Sequence, residues 1–353
     1  MLFRSQVTFA QRLKALGYAT ALVGKWHLGA NDGYLPHQRG FDEFFGFLPF
    51  GLGAAKPGQR LPIYRNGQVV EVSGNHMETF CTEALSFIDR HQAEPFFLYF
   101  PMPAVHGPMV GPEPYLSRFK DLTPPGRRRY AADLSQMDDI IGRIVARLAE
   151  RGLTENTLIA FFSDNGGSGG PTRNGPYRGT KWTLWEGGIH VPFIVQWQGR
   201  IPGGRTLEQP VIQIDLLPTA IAAAGGEVGA DWRLDGVNLL PLLEGKTTTP
   251  PHEALYWRFG VQYAVRQGDW KLVKPHVNDP PRLFNLASDA GEANDLAAQQ
   301  PAKAKELQAL WDAWNAANEP PRWIDVRWNG DGPAPKKGAA RKGPAKGAAG
   351  AGG

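Results

Sequence analysis

A single cysteine, Cys81, in 353 residues excludes an internal disulfide and any zinc cluster built from thiolates. No stretch approaches 18 uninterrupted apolar residues, so the sequence predicts no membrane-spanning helix. A strong charge of one sign is also lacking from most of the chain. The formal net charge is +4, but residues 329–353 hold five bases against one acid, which leaves 33 of each sign in residues 1–328. The basic balance is a property of the tail, and the body gives no footprint for a nucleic-acid partner. That tail is Gly, Ala, Pro and Lys, a composition that cannot bury enough apolar area to offset its ordering entropy, so it is predicted to be disordered. Apolar material is not lacking: 42% of residues are hydrophobic and 11 are Trp, which rules out a wholly disordered chain and, at this length, predicts about two domains.

Periodicity supplies the elements. Phe9, Leu13 and Leu16 mark an amphipathic helix ended by Gly17, and residues 18–23 read as a buried strand. A helix is predicted over 77–91, with Met77, Cys81, Ala84, Leu85 and Ile88 on one face and Cys81 as a packed core thiol. A strand follows at 95–100. The longest helix is predicted over 128–151, where Tyr130, Leu134, Met137, Ile141, Ile144 and Leu148 form a continuous apolar stripe. Residues 158–162 read as a fully buried strand, 191–197 as another, and 212–224 as a helix. Helices alternating with near-continuous apolar strands predict an α/β fold with a mainly parallel sheet covered on both faces. After residues 246–251 the texture changes. Short strands at 254–259, 263–267, 270–273 and 283–286 and a helix over 302–317 predict a smaller antiparallel-sheet-plus-helix subdomain. The expected division is therefore an α/β domain at 1–246, a subdomain at 251–328 and the tail.

Three polar segments follow predicted strands directly: Gly24-Lys-Trp-His-Leu-Gly29, Pro103-Ala-Val-His-Gly-Pro108 and Ser163-Asp-Asn-Gly-Gly167. In open parallel sheets ligands bind beyond the carboxyl ends of strands, so these segments are expected to share one crevice. Its cation, imidazoles and hard oxygen donors (Lys25, His27, His106, Asp164 and Asn165) suit an anionic ester and a metal such as Ca²⁺ or Mg²⁺. Each also has a plain reading as a loop residue, and Asp-Asn-Gly-Gly is a good turn sequence in its own right. Gly166-Gly-Ser-Gly-Gly170 matches the nucleophile elbow of serine hydrolases, but Pro171, Asn174 and Pro176 forbid the helix that must follow Ser168. The glycine-rich stretch 166–181 does not satisfy the phosphate-binding loop pattern either.

Taken in order, these residues resemble the sulfatase family of the alkaline-phosphatase-like superfamily. Gly17-Tyr-Ala-Thr-Ala-Leu-Val-Gly-Lys-Trp-His-Leu-Gly29 looks like one family signature almost residue for residue. Arg39–Gly46, the His106 segment, Phe162–Gly167, Lys181–Pro192 and Val265–Val273 resemble further blocks, so the likeness runs from residue 6 to about 318. The resemblance implies hydrolysis of a sulfate monoester on a small molecule or glycan, with Ca²⁺ (or Mg²⁺) and a formylglycine nucleophile. It implies that Lys25 and His27 hold the nucleophile and sulfate, and that His106 faces the leaving oxygen as general acid. Asp164 and Asn165 would be metal ligands and Lys181 a second cation on the sulfate. It also implies export to the periplasm or the extracellular space. Two other readings stand beside it, a non-catalytic binder of sulfated glycans and a phosphoester or phosphonate hydrolase of the same superfamily.

The chain departs from the family pattern at two places. The Cys/Ser-x-Pro-x-Arg motif that carries formylglycine and the paired aspartates before it are not in the sequence, and Cys81 stands in Cys-Thr-Glu-Ala-Leu. The expectation is a sulfatase without its N-terminal nucleophile segment, inactive as the chain stands. The second departure is His190, where the family often has Arg.

Overall fold

The computed structural model describes residues 6–48 and 62–320. The predicted tail, 329–353, lies outside them. The described chain divides into two compact units. The first runs to Phe162 and includes Gly170–Thr172 and Pro192–Glu253; the second holds Ser163–Gly169, Arg173–Val191 and the chain from Ala254 on.

In the first unit, Thr8 starts helix α1 (Phe9–Ala15). Its hydroxyl accepts from the Gln11 amide while the Gln11 side chain accepts from the Thr8 amide, which satisfies donors that a helix start leaves orphaned. Strand β1 (Ala19–Lys25) has five consecutive buried residues. It pairs in parallel with β2 (Glu43–Phe47). A hairpin of β3 (Ile63–Arg65) and β4 (Gln68–Val70) extends the sheet antiparallel beyond β2. On its other side β1 pairs in parallel with β5 (Phe96–Tyr99), giving the order β4-β3-β2-β1-β5. Successive residues of β1 point to opposite faces. Leu22 packs with Ala10, Trp26, Phe41 and Phe44. Val23 packs with Phe45, Phe47, Phe80 and Ala84. Phe80 and Ala84 belong to helix α2 (His76–Arg90), whose Met77 and Cys81 meet Ile140 on their other flank. Cys81 is fully buried, as its apolar setting predicts. After the short α3 (Tyr115–Arg118) comes Ile140's helix, α4 (Pro125–Glu150).

Two expectations are corrected. The buried positions of α4 are Ala132, Asp133, Gln136, Ile140 and Leu148, whereas Leu134 is 40% exposed. The helix is turned because its inner face is partly polar: Asp133 accepts the Val110 and Gly111 amides, and Gln136 donates to Glu78. A count of apolar residues cannot register such positions. The second correction concerns β6 (Ile159–Phe162). It pairs antiparallel with β7 (Phe193–Gln196), which follows the short helix α5 (Glu186–Ile189), and this pair is separate from the five-stranded sheet. The 30-residue connection from β6 to β7 is long enough for a crossover, but its helix, α5, has only four residues and the chain returns antiparallel. Nor are these strands fully buried: alternate residues of β7 are exposed, Ile194 to 61%. The α/β class holds, with a mixed sheet in place of a mainly parallel one. The unit closes with α6 (Leu216–Ala223) and α7 (Leu240–Leu243), tied by the fully buried Asp215, which takes the Val237 amide at 2.9 Å and His252 Nε2 at 2.8 Å.

The second unit is built on an antiparallel sheet of β8 (Leu255–Phe259), β9 (Gln262–Gln267), β10 (Trp270–Lys274) and β11 (Arg282–Asn285), in the order β11-β10-β9-β8. One face, Val265, Leu272 and Leu283, packs on Leu307 and Trp311 of helix α8 (Pro301–Ala316). The other, Ala264, Val273 and Phe284, packs on Leu184 and Trp185.

Candidate functional site

The six candidate residues fall into two groups of three, one in each unit. In the first, Lys25 is the last residue of β1 and His27 lies two further on. His106 follows β5, the parallel partner of β1, so all three stand at or beyond the carboxyl ends of paired strands. Backbone chemistry brings the strand ends together. The Lys25 amide donates to the Pro101 carbonyl at 2.9 Å. Gly24 sits at φ +126°, where a Cβ would lie 2.3 Å from that same carbonyl oxygen. Only glycine lets the strand leading to Lys25 pass so close. Trp26 is buried, and its Nε1 donates to the carbonyls of Gly29 at 3.0 Å and Tyr34 at 2.9 Å. It therefore fixes the loop after His27.

His27 and His106 are exposed and Lys25 is half-buried. His106 Nδ1 lies 2.8 Å from the Gly107 carbonyl, which can only accept, so Nδ1 carries a hydrogen. The loop after it is clipped down by Asp133, which accepts from Gly111 at 2.8 Å and from Val110 at 3.2 Å. Burial pushes the Asp133 carboxyl up from the usual range, partly opposed by those two amide hydrogen bonds.

In the second unit Asp164 and Asn165 head the turn after β6, and Lys181 is laced to the same turn by its amide, which donates to Gly167 at 3.0 Å. Asn174 locks the arrangement, accepting from the Gly167 amide at 2.8 Å and donating to Gly167 and Gly179 carbonyls at 2.9 and 3.1 Å. Lys181 Nζ lies 5.3 Å from the centroid of the Trp182 ring, a cation–π contact that steadies the ammonium. Trp185 is a core residue, 5.7 Å from Phe284 between centroids. Ser168 is exposed in an irregular segment with no helix after it, consistent with rejecting the nucleophile elbow.

A calcium ion takes six to eight oxygen ligands. Asp164 and Asn165 offer neighbouring side-chain oxygens, and among the described residues no three His, Cys, Asp or Glu side chains gather into a metal-binding group. The residues described do not amount to a cation cage, so no chemical step is derived through a metal.

The structure also joins residues that the sequence blocks 181–192 and 265–273 contain but to which sequence alone gave no role. Lys271, on β10, is fully buried with its Nζ 2.7 Å from Glu186 Oε1 and 2.8 Å from Glu292 Oε1. Glu292 Oε2 in turn accepts the Glu186 amide at 2.6 Å. Burial pushes Glu186 up, but the His190 hydrogen bond and the Lys271 charge outweigh it and hold the carboxyl down to about 2. Glu292 moves the other way, raised by burial despite Lys271. The sequence signals were slight: a Glu and a His four residues apart, and one Lys inside an apolar strand.

A sheet whose parallel strand ends carry a cation and imidazoles, in a chain that also builds an antiparallel sheet, defines an α/β protein. Comparison with known proteins narrows this. The sulfatase family model matches residues 2–226, and the model described as N-sulphoglucosamine sulphohydrolase, C-terminal, matches residues 179–316. The chain belongs to the sulfatase family. It is 35% identical over 284 residues to N-acetylgalactosamine-6-sulfatase of Canis lupus familiaris, covering 73% of this chain and 52% of that one. It is 30% identical to arylsulfatase J of Mus musculus, covering 90% of this chain and 63% of that one. The chain thus spans about half to two-thirds of the length of these relatives. Among solved structures, Ps i-CgsB in complex with k-i-k-neocarrahexaose matches with a TM-score of 0.84 and 29% identity, covering 91% of this chain and 77% of that one.

Proposed function

We propose that this chain recognises a sulfate monoester carried on a saccharide, as part of sulfuric-ester hydrolysis. The observation that carries the reading is Lys25 and His27 at the end of β1 with His106 beyond its parallel partner, an arrangement of cation and imidazoles suited to a tetrahedral anionic ester. Lys25 is proposed to place positive charge on sulfate oxygens, where charge is spread in the transition state, and Lys181, in the second unit, is proposed as an anion-binding cation in its own right. His27 adds a hydrogen bond to the nucleophile or the sulfate. His106, protonated at Nε2, is the group that would give its proton to the departing alkoxide oxygen. Asp164 and Asn165 are proposed as two of the ligands of a hard cation whose remaining donors are not among the described residues. The saccharide part of the proposal is supported by the names of the relatives, an N-acetylgalactosamine-6-sulfatase and a protein solved with a neocarrahexaose.

Calorimetric titration with N-acetylgalactosamine 6-sulfate tests this. The sulfated sugar should bind at least about tenfold more tightly than N-acetylgalactosamine, and Lys181→Ala should remove most of the difference, since a charge-assisted contact is worth ~1.5–3 kcal/mol. Equal affinity for the two sugars defeats the reading. Release of inorganic sulfate from the same sugar would show cleavage in addition to recognition.

A further inference from the structure

His190 has a setting unlike that of an ordinary surface histidine. Its Nδ1 lies 3.0 Å from Glu186 Oε2, a carboxylate that is 5% exposed, while the imidazole itself is 44% exposed. Because Glu186 stays ionised at any physiological pH, Nδ1 is the donor and the ring is held with Nε2 outward. The Tyr177 ring stacks on it at 4.3 Å between centroids and 22° between planes. The Tyr177 hydroxyl and His190 Nε2 are 3.5 Å apart, too long for a strong mutual hydrogen bond, so both keep capacity for a third group.

Charge around this ring is balanced without it. Glu186 on α5 and Glu292 beyond β11 face Lys271 from β10 and Arg266 from β9, whose Nη1 is 3.9 Å from Glu186. With both carboxylates ionised, two negative charges meet two positive ones. The pair is also close to the proposed anion-binding residues in the wiring of the backbone. The Gly166 amide donates to Gly188 of α5 at 3.0 Å, and the Lys181 amide donates to Gly167 at 3.0 Å, so consecutive residues of one turn hold both Lys181 and the helix that carries Glu186.

We propose that His190 and Tyr177 form a substrate-contacting pair that grips a second anionic or hydroxyl oxygen of the sulfated saccharide, with Glu186 as the residue that positions His190. The inference rests on the proposed recognition of a sulfated sugar. His190 Nε2 and the Tyr177 hydroxyl are the two atoms that would meet this oxygen.

The test measures the dissociation constant of N-acetylgalactosamine 6-sulfate for the unaltered chain and for His190→Gln, His190→Ala and Tyr177→Phe. The His190 Cε1–H resonance is followed during each titration, which separates contact from a structural effect. His190→Ala should weaken binding at least about fivefold, and His190→Gln, which keeps a donor, should recover part of that loss. Tyr177→Phe should also weaken binding, and the His190 resonance should shift on saturation. Unchanged affinity in His190→Ala, with an unmoved His190 resonance in the unaltered chain, overturns this inference alone. Absence of binding to the unaltered chain overturns it together with the proposed function.

Discussion

Gly24 shows how little room the first group of candidate residues leaves. A Cβ at that position would sit 2.3 Å from the Pro101 oxygen, in a backbone conformation with φ +126°. Gly24→Ala should therefore destabilise the chain by more than about 3 kcal/mol, seen as a lower urea midpoint, because both strain and overlap must be relieved at once. Asp133 acts at the same scale through two hydrogen bonds. Asp133→Ala leaves the Val110 and Gly111 amides without their acceptor, at a cost of ~1–3 kcal/mol. Those two amides should exchange with solvent at least tenfold faster, while Leu22 and Val23 amides in β1 stay protected. The Lys-Trp-His segment was legible in the sequence because its residue types and spacing are themselves unusual. Asp133 was not, since nothing in an amphipathic helix marks which acidic residue turns inward.

At the scale of elements, β10 and α5 are coupled by charge. Lys271→Met would leave Glu186 and Glu292 facing each other without their cation, the situation in which breaking a buried ion pair costs about 3–5 kcal/mol. The sign with pH follows from the carboxylates. Glu186 is depressed to about 2 in the folded chain, so its stabilisation is present above the unfolded value of 4.5 and disappears as pH falls towards 2. Without Lys271 that depression is reduced, the His190 hydrogen bond remaining, and protonation relieves the repulsion. The destabilisation of Lys271→Met should thus be larger at pH 8 than at pH 5, read as the gap between its thermal midpoint and that of the unaltered chain. An equal gap at both values would show that Lys271 matters by packing alone. Strand and helix positions along this part of the chain were readable from alternation and from Gly, Pro and Asn breaks. The direction of β7 was not, because an apolar run has the same sequence whether its partner runs parallel or antiparallel.

For the molecule as a whole, the single thiol is a natural reporter of the first unit. Cys81 is fully buried between α2 and Ile140 of α4, and burial pushes its thiol up from the ordinary value. Modification by a disulfide reagent should be slow in native conditions and should rise along the same urea curve as loss of helical signal. Rapid labelling before any loss of helix would mean that α2 opens by itself.

Composition and pattern alone determined the α/β class, the neutral body with its basic tail, most element positions and the three polar segments after strands, because each rests on local residue type and period. Tertiary structure decided the strand directions, the inward turn of α4 and the Tyr177–His190–Glu186–Lys271–Glu292 network. Those depend on which distant residues meet, and a buried polar group is stable only where such partners exist.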